Sequence, residues 1–119
     1  MAEDDVLNQE VTRSLLEDCG LVVHTAADGA QAVAMARRTN YDLVLMDVQL
    51  PLLDGCEAAR QIRRLPLGAG LPIVALTSSV FSDDQTRCRE AGMDDFIGRP
   101  VDAEELLGVV LRWLDQRPG

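Results

Sequence analysis

Leu43-Val44-Leu45-Met46-Asp47 is an apolar run closed by an acid, and Val48-Gln49-Leu50-Pro51-Leu52-Leu53-Asp54-Gly55 follows it. A short apolar run bounded by Pro and Gly reads as a strand covered on both faces. A carboxylate placed where such a strand surfaces is held rigidly and still meets solvent, as a nucleophile or a metal ligand requires. The same spacing also fits a strand that simply stops at a solvated Asp before a Pro/Gly loop.

Other residues fall in comparable places. Glu3-Asp4-Asp5 follows the first two residues, and alone it reads as a solvated acidic start ending in a helix N-cap. Thr77 follows the apolar run Ile73-Val74-Ala75-Leu76, and Arg99-Pro100 follows Phe96-Ile97. An acid pair, a central Asp, a hydroxyl and a cation thus lie at or just beyond the C-terminal ends of candidate strands. Open parallel sheets bind their ligands there.

Outward from these runs, helical and strand patterns alternate. A helix is predicted from about Leu7 to Cys19, stopped by Gly20, and a strand at Val22 to Ala26 that contains His24, the only histidine. Asp28-Gly29 turns into an Ala-rich helix over Ala30 to Thr39. After the strand Leu43 to Asp47 come the Pro51 to Gly55 loop, a helix to about Arg64 and a Pro/Gly-rich connection over Leu65 to Pro72. The strand Ile73 to Leu76, a polar helix Ser82 to Ala91 and a brief strand at Phe96-Ile97 follow. A closing helix, Ala103 to Leu114, carries an apolar stripe of Leu106, Leu107, Val110, Leu111 and Leu114. Apolar strands alternating with helices imply a parallel sheet covered on both faces.

The 119 residues are the size of a single domain, and a net charge of −9 argues against a nucleic-acid surface, which needs clustered cations. No apolar stretch approaches the roughly 20 residues of a membrane span, and the first residues lack the order of a signal peptide, so a cytoplasmic location is expected. Cys19, Cys56 and Cys88 are odd in number and contain no close pair, which argues against a disulfide framework or a zinc site.

The motifs together resemble the receiver domain of two-component response regulators, along essentially the whole chain. The resemblance is carried by Glu3-Asp4-Asp5 with Val6-Leu7-Asn8-Gln9-Glu10-Val11, by Met46-Asp47-Val48-Gln49-Leu50-Pro51 with Asp54-Gly55, and by Ala75-Leu76-Thr77-Ser78. Ala91-Gly92-Met93-Asp94-Asp95-Phe96-Ile97-Gly98-Arg99-Pro100 completes it. The wording around Asn8-Gln9 and from Asp47 to Gly55 is most similar to receivers attached to hybrid histidine kinases. The resemblance implies a flavodoxin-like three-layer α/β/α fold with strand order 2-1-3-4-5, in one receiver domain over residues 1–119.

It also implies a chemistry and a set of partners. Asp47 would accept a phosphoryl group from a phosphohistidine, as a phosphoacceptor and not as an enzyme in its own right. Glu3, Asp4, Asp47 and the backbone carbonyl of Gln49 would hold Mg²⁺. Thr77 and the cation of residue 99 would contact the phosphoryl oxygens. Movement of Thr77 would let Phe96 turn inward and so change the face made by the family's fourth helix, fifth strand and fifth helix. The implied partner is a histidine kinase or a histidine phosphotransfer protein, with dimerisation through that face or through an incomplete sheet as a further expectation.

The chain departs from the family pattern twice. Lys is usual where Arg99 stands, and Arg carries its charge on a planar fork of different reach; all eleven basic residues of this chain are Arg. An apolar first strand of about five residues is usual before the acid pair, whereas only Met1-Ala2 precede Glu3, so the domain reads as N-terminally truncated. The gap between Val22–Ala26 and Leu43–Asp47 is then expected to be a slot of two inter-strand spacings, roughly 9.6 Å. Two other readings compete. A pseudo-receiver would keep the fold as a binding module without phosphorylation. A haloacid-dehalogenase-like phosphatase would want a second Asp two residues after Asp47, where Gln49 stands.

Overall fold

A computed structural model describes Met1 and residues 6–39, 41–48, 55–66, 68, 70–77, 82–98 and 102–115. Helix α1 spans Val6–Asp18, α2 Gly29–Arg38, α3 Gly55–Arg63, α4 Ser82–Glu90 and α5 Ala103–Asp115. Between them run the strands β1 (Val44–Asp47), β2 (Ile73–Thr77) and β3 (Asp95–Gly98). These form a parallel sheet in the order β1-β2-β3, with Val44 opposite Ile73, Asp47 opposite Leu76, Ala75 opposite Phe96 and Thr77 opposite Gly98.

Side chains alternate across each strand, so each strand feeds two cores. Val44, Met46, Ile73 and Ala75 pack on one face with Ala32, Val33 and Ala36 of α2 and with Ala58, Ala59 and Ile62 of α3. Leu45, Val74, Leu76 and Ile97 pack on the other with Leu16 of α1 and with Leu106 and Val110 of α5. A parallel sheet covered on both faces by helices is the three-layer, flavodoxin-like arrangement, and it accounts for the unbroken apolar strands.

Local chemistry sets the helix ends. The Asp28 carboxylate accepts the Gln31 N–H at 2.8 Å while the Gln31 side chain accepts the Ala27 N–H at 3.0 Å, a reciprocal N-terminal cap. Helices α1 and α4 both stop at a glycine of positive φ, Gly20 at 86° and Gly92 at 98°. In α1 Leu21 N–H bonds Leu16 O, and in α4 Met93 N–H bonds Cys88 O, so each glycine closes a Schellman turn that satisfies the last carbonyls.

The predicted strand at Val22–Ala26 is not part of the sheet. Burial does alternate along it, with Leu21 and Val23 partly inside and Val22 and His24 exposed, as in a strand. Its ladder contact among the described residues is to Met1: the Met1 amine donates to His24 O at 2.7 Å, and Ala26 N–H donates to Met1 O at 2.8 Å. The segment has the side-chain pattern of a strand, but among the described residues it has no full-length ladder partner. Between it and β1 lies a cavity of about 450 Å³.

Candidate functional site

Asp47 ends β1 with only 5% of its surface exposed, and Thr12 is the other polar side chain so deeply buried among the described residues. The solvated-Asp reading of this position therefore does not hold. Burying a carboxylate costs free energy unless partners compensate it, so a buried Asp at a strand end marks a site more than a stopping point. The next peptide is fixed on both sides, since Val48 N–H donates to Leu76 O and Gly55 N–H donates to Val48 O, each at 3.0 Å.

Gly55, the first residue of α3, closes in on Asp47 from the same side. A Cβ at Gly55 would lie 2.1 Å from the Asp47 carbonyl oxygen and 2.9 Å from Val48 Cα, so only a residue without a side chain lets α3 start this close to the strand end. The Asp54-Gly55 wording had suggested only a loop; its role as a close-approach point depends on the tertiary fold.

The parallel register brings the neighbouring strand ends into one row. Thr77 closes β2 one step beyond the Asp47–Leu76 pair and lies opposite Gly98, the last residue of β3. Phe96 lies two residues earlier, opposite Ala75, partly buried against the first core. The Arg89 guanidinium of α4 sits 5.2 Å from the centre of its ring, within cation–π range. Glu3, Asp4, Gln49 and Arg99, and hence the metal ligands other than Asp47, lie outside the described residues. No group of three His, Cys, Asp or Glu able to hold a metal occurs among the described residues. Of the residues expected at the site, the structure thus places Asp47, the backbone of Thr77, and Phe96.

Two polar clusters that the sequence reading missed brace these strands. Arg63, at the end of α3, donates to Gly92 O at 2.9 Å, to Gly68 O at 2.8 Å and to the Asp94 carboxylate at 2.6 Å, and Asp94 also accepts the Ile73 N–H at 2.9 Å. One guanidinium therefore fixes the entrances to β2 and β3. Asp95 accepts the Trp113 indole N–H at 2.9 Å, its neighbour's N–H from Phe96 at 2.8 Å, and a bond from Arg112, tying β3 to α5. Burial pushes the Asp95 carboxyl up, but the bonds from Trp113, Phe96 and Arg112 outweigh it and hold the group below the ordinary carboxylate range.

The 450 Å³ cavity is not part of this site. Asp47 does not line it, and its walls are mainly apolar, from residues such as Leu16, Val23, Ala36, Leu45 and Val110. Cys56 and Cys88 are buried core thiols, and Cys19 is exposed. No helix among the described residues is long and apolar enough to cross a membrane.

A parallel α/β sheet with a buried Asp at the C-terminal end of one strand and a Thr ending the next defines a class of signalling module. The chain belongs to the response regulator receiver domain family, which matches it over residues 1–111. Two-component system protein A of Emericella nidulans is 39% identical over 116 residues, covering 95% of this chain and 17% of that protein. Hybrid signal transduction histidine kinases are also among the curated relatives, and the chain spans only 7% to 17% of the length of those it matches. Among solved structures, it is similar to the receiver domain of the sensor histidine kinase PA1611 from Pseudomonas aeruginosa PAO1, which has a magnesium ion coordinated in its active site cleft. That match has a TM-score of 0.91 at 41% identity and covers 97% of this chain and 94% of the other. A further match comes from the co-crystal structure of the Saccharomyces cerevisiae histidine phosphotransfer protein Ypd1 with the receiver domain of Ssk1. It has a TM-score of 0.86 at 31% identity and covers 94% of this chain and 84% of the other.

Proposed function

We propose that the chain is a phosphoacceptor: one receiver domain over residues 1–119 in which Asp47 takes a phosphoryl group from a phosphohistidine. The observation that carries this reading is the buried Asp47 carboxylate at the end of β1, pinned between the Leu76 carbonyl side of β2 and the first turn of α3. In the transfer, a carboxylate oxygen of Asp47 forms a bond to phosphorus as the phosphorus–nitrogen bond of the phosphohistidine breaks, leaving an acyl phosphate on Asp47 and a free imidazole on the donor.

The donor set suits Mg²⁺. Glu3, Asp4, Asp47 and the Gln49 carbonyl supply hard oxygens, the ligands this ion prefers, and Asp47 is a fixed carboxylate among them. When bound, Mg²⁺ neutralises charge between the attacking carboxylate and the incoming phosphoryl group. The chain's own groups do the rest. The strand end holds Asp47 in place, Thr77 offers a hydroxyl from the adjacent strand end, and Arg99 offers a cation to a phosphoryl oxygen.

The readout is the face of α4, β3 and α5. Phe96 lies on it beneath Arg89, and the Asp95 cluster couples β3 to α5, so a movement of Thr77 reaches that face through one strand. The partner is a histidine kinase or a histidine phosphotransfer protein. The likeness to a receiver solved beside a phosphotransfer protein supports the second.

Phosphoramidate labelling followed by intact-mass measurement tests the reading. One phosphoryl group per chain is expected, dependent on Mg²⁺ and absent in Asp47→Asn. Equal labelling of Asp47→Asn, or full labelling in excess chelator, overturns it; no labelling of the parent chain leaves the pseudo-receiver as the better account.

A further inference from the structure

The backbone of Phe96 is fixed while its ring is not. The residue pairs with Ala75 in the ladder, its N–H donates to the Asp95 carboxylate at 2.8 Å, and that carboxylate accepts the Trp113 N–H of α5 at 2.9 Å. The ring is only partly buried, at the margin of the first core, and its ladder neighbour there is the small Ala75. A ring beside a methyl group has room to change rotamer while its strand stays in place. Thr77 ends the same neighbouring strand two residues beyond Ala75, so the ring lies between the row of strand ends and the outer face.

Arg89 closes over this ring from another element. It belongs to the last turn of α4, is itself exposed, and places its guanidinium 5.2 Å from the ring centre. Arg is charged at every working pH, and its weakly hydrated planar fork suits it to lying on an aromatic face. Arg87 shares that last turn but stands about 200° around the helix axis, away from the ring. A ring that turns inward leaves the guanidinium behind, so the contact favours the outward position alone.

We infer that Arg89 is a latch on Phe96, an inference that rests on the phosphoacceptor role of Asp47. It holds the ring in the outward, resting position, and an event at Asp47 that draws the ring inward has to break this contact. Arg89 touches no reacting atom; it is a positioning residue that sets how readily the domain switches. A cation–π contact at an exposed site biases such an equilibrium about two- to fivefold, and by linkage the same factor enters the affinity of any ligand that favours the inward state.

Beryllofluoride with Mg²⁺, a mimic of the phosphorylated carboxylate, is titrated into the parent chain and into Arg89→Met, Arg89→Lys and Arg87→Met. Uptake is followed by NMR at the Val48 amide, and ring-current shifts are followed at the Arg89 side chain. In the resting parent the Arg89 side-chain protons are expected upfield, shielded by the ring, and to lose that shift as beryllofluoride binds. Arg89→Met should bind beryllofluoride about two- to fivefold more tightly, while Arg89→Lys, which keeps a cation for the ring, stays within about twofold of the parent. The sign is diagnostic: removing a cation weakens the binding of an anion through its field, so Arg87→Met should not tighten. A contact that merely stabilises the fold would lower the melting temperature of Arg89→Met and leave its beryllofluoride affinity at the parent value. That result overturns the inference, as does equal tightening by Arg87→Met or an upfield shift that persists in the saturated parent. A parent that takes up no beryllofluoride removes the phosphoacceptor reading and the latch with it, whereas uptake with Arg89 unmoved removes the latch alone.

Discussion

Replacing Gly55 by Ala would insert one methyl group where α3 meets β1, and the structure sets the size of the penalty. The new Cβ would lie 2.1 Å from the Asp47 carbonyl oxygen, while real Cβ atoms essentially never come within 3.0 Å of such a neighbour, so the helix start and the strand end must part by at least about 0.9 Å. Both neighbours at fault, Asp47 and Val48, are backbone, which cannot swing aside as a side chain could. Overpacking of this kind costs typically 1 to 3 kcal/mol, and parting the two elements also strains the bond from Gly55 N–H to Val48 O, worth about 1 kcal/mol. A loss of about 2 to 4 kcal/mol is expected, which for a domain of this size lowers the melting temperature by roughly 6 to 20 °C. Gly108→Ala is the internal control: it lies within α5, a Cβ there meets nothing within 4 Å, and removing a helix glycine should stabilise by up to about 1 kcal/mol. Calorimetric melts of the three proteins in one buffer decide the matter. If Gly55→Ala melts within about 2 °C of the parent, α3 does not press on the Asp47 peptide as described.

Two further outcomes are expected. Arg63→Met roughly keeps the length of the side chain but removes the Arg63 donor from the Gly68, Leu71 and Gly92 carbonyls and the Asp94 carboxylate, so urea unfolding should show a loss of about 2 to 4 kcal/mol; Arg63→Lys, lacking the planar fork, should recover less than half of it, and full recovery would mean that charge alone suffices. The Met1 amine, held near 6 by burial against an ordinary value of 8.0, is protonated more readily in the unfolded chain between those values, so stability should rise with pH from 6 to 8, by up to roughly 3 kcal/mol. An N-acetylated chain should lack this rise, and an equal rise in both forms would assign it to another group.

The sequence was most legible where structure follows from a local pattern. The run Val44–Asp47 is buried at all four positions, as an apolar stretch ended by an acid suggested, and Gly20 and Gly92 stop their helices because no partner beyond the turn is needed. Legibility failed where a distant partner decides the outcome. Residues 21–26 have the alternation of a strand, but a ladder needs a second backbone, and among the described residues their ladder contacts are to Met1. Arg63 sits in the last turn of a polar-faced helix, and no local signal separates it from Arg60 or Arg64. Its role comes from carbonyls and a carboxylate up to 31 residues further on. The apolar runs located Asp47 and Thr77 at the C-terminal ends of β1 and β2, while the wedge at Gly55 appears only when α3 is laid against the sheet.

Trp113, the only tryptophan of the chain, donates its indole N–H to Asp95, the residue just before Phe96 in β3. The chain therefore has a built-in optical reporter, with a single emitter and no competing indole to subtract. Any change in how β3 sits against α5 must stretch or break that one bond and alter the polarity around the ring. Emission from Trp113 should then follow events at the far end of the strand in real time, without a label and without altering any residue of the site.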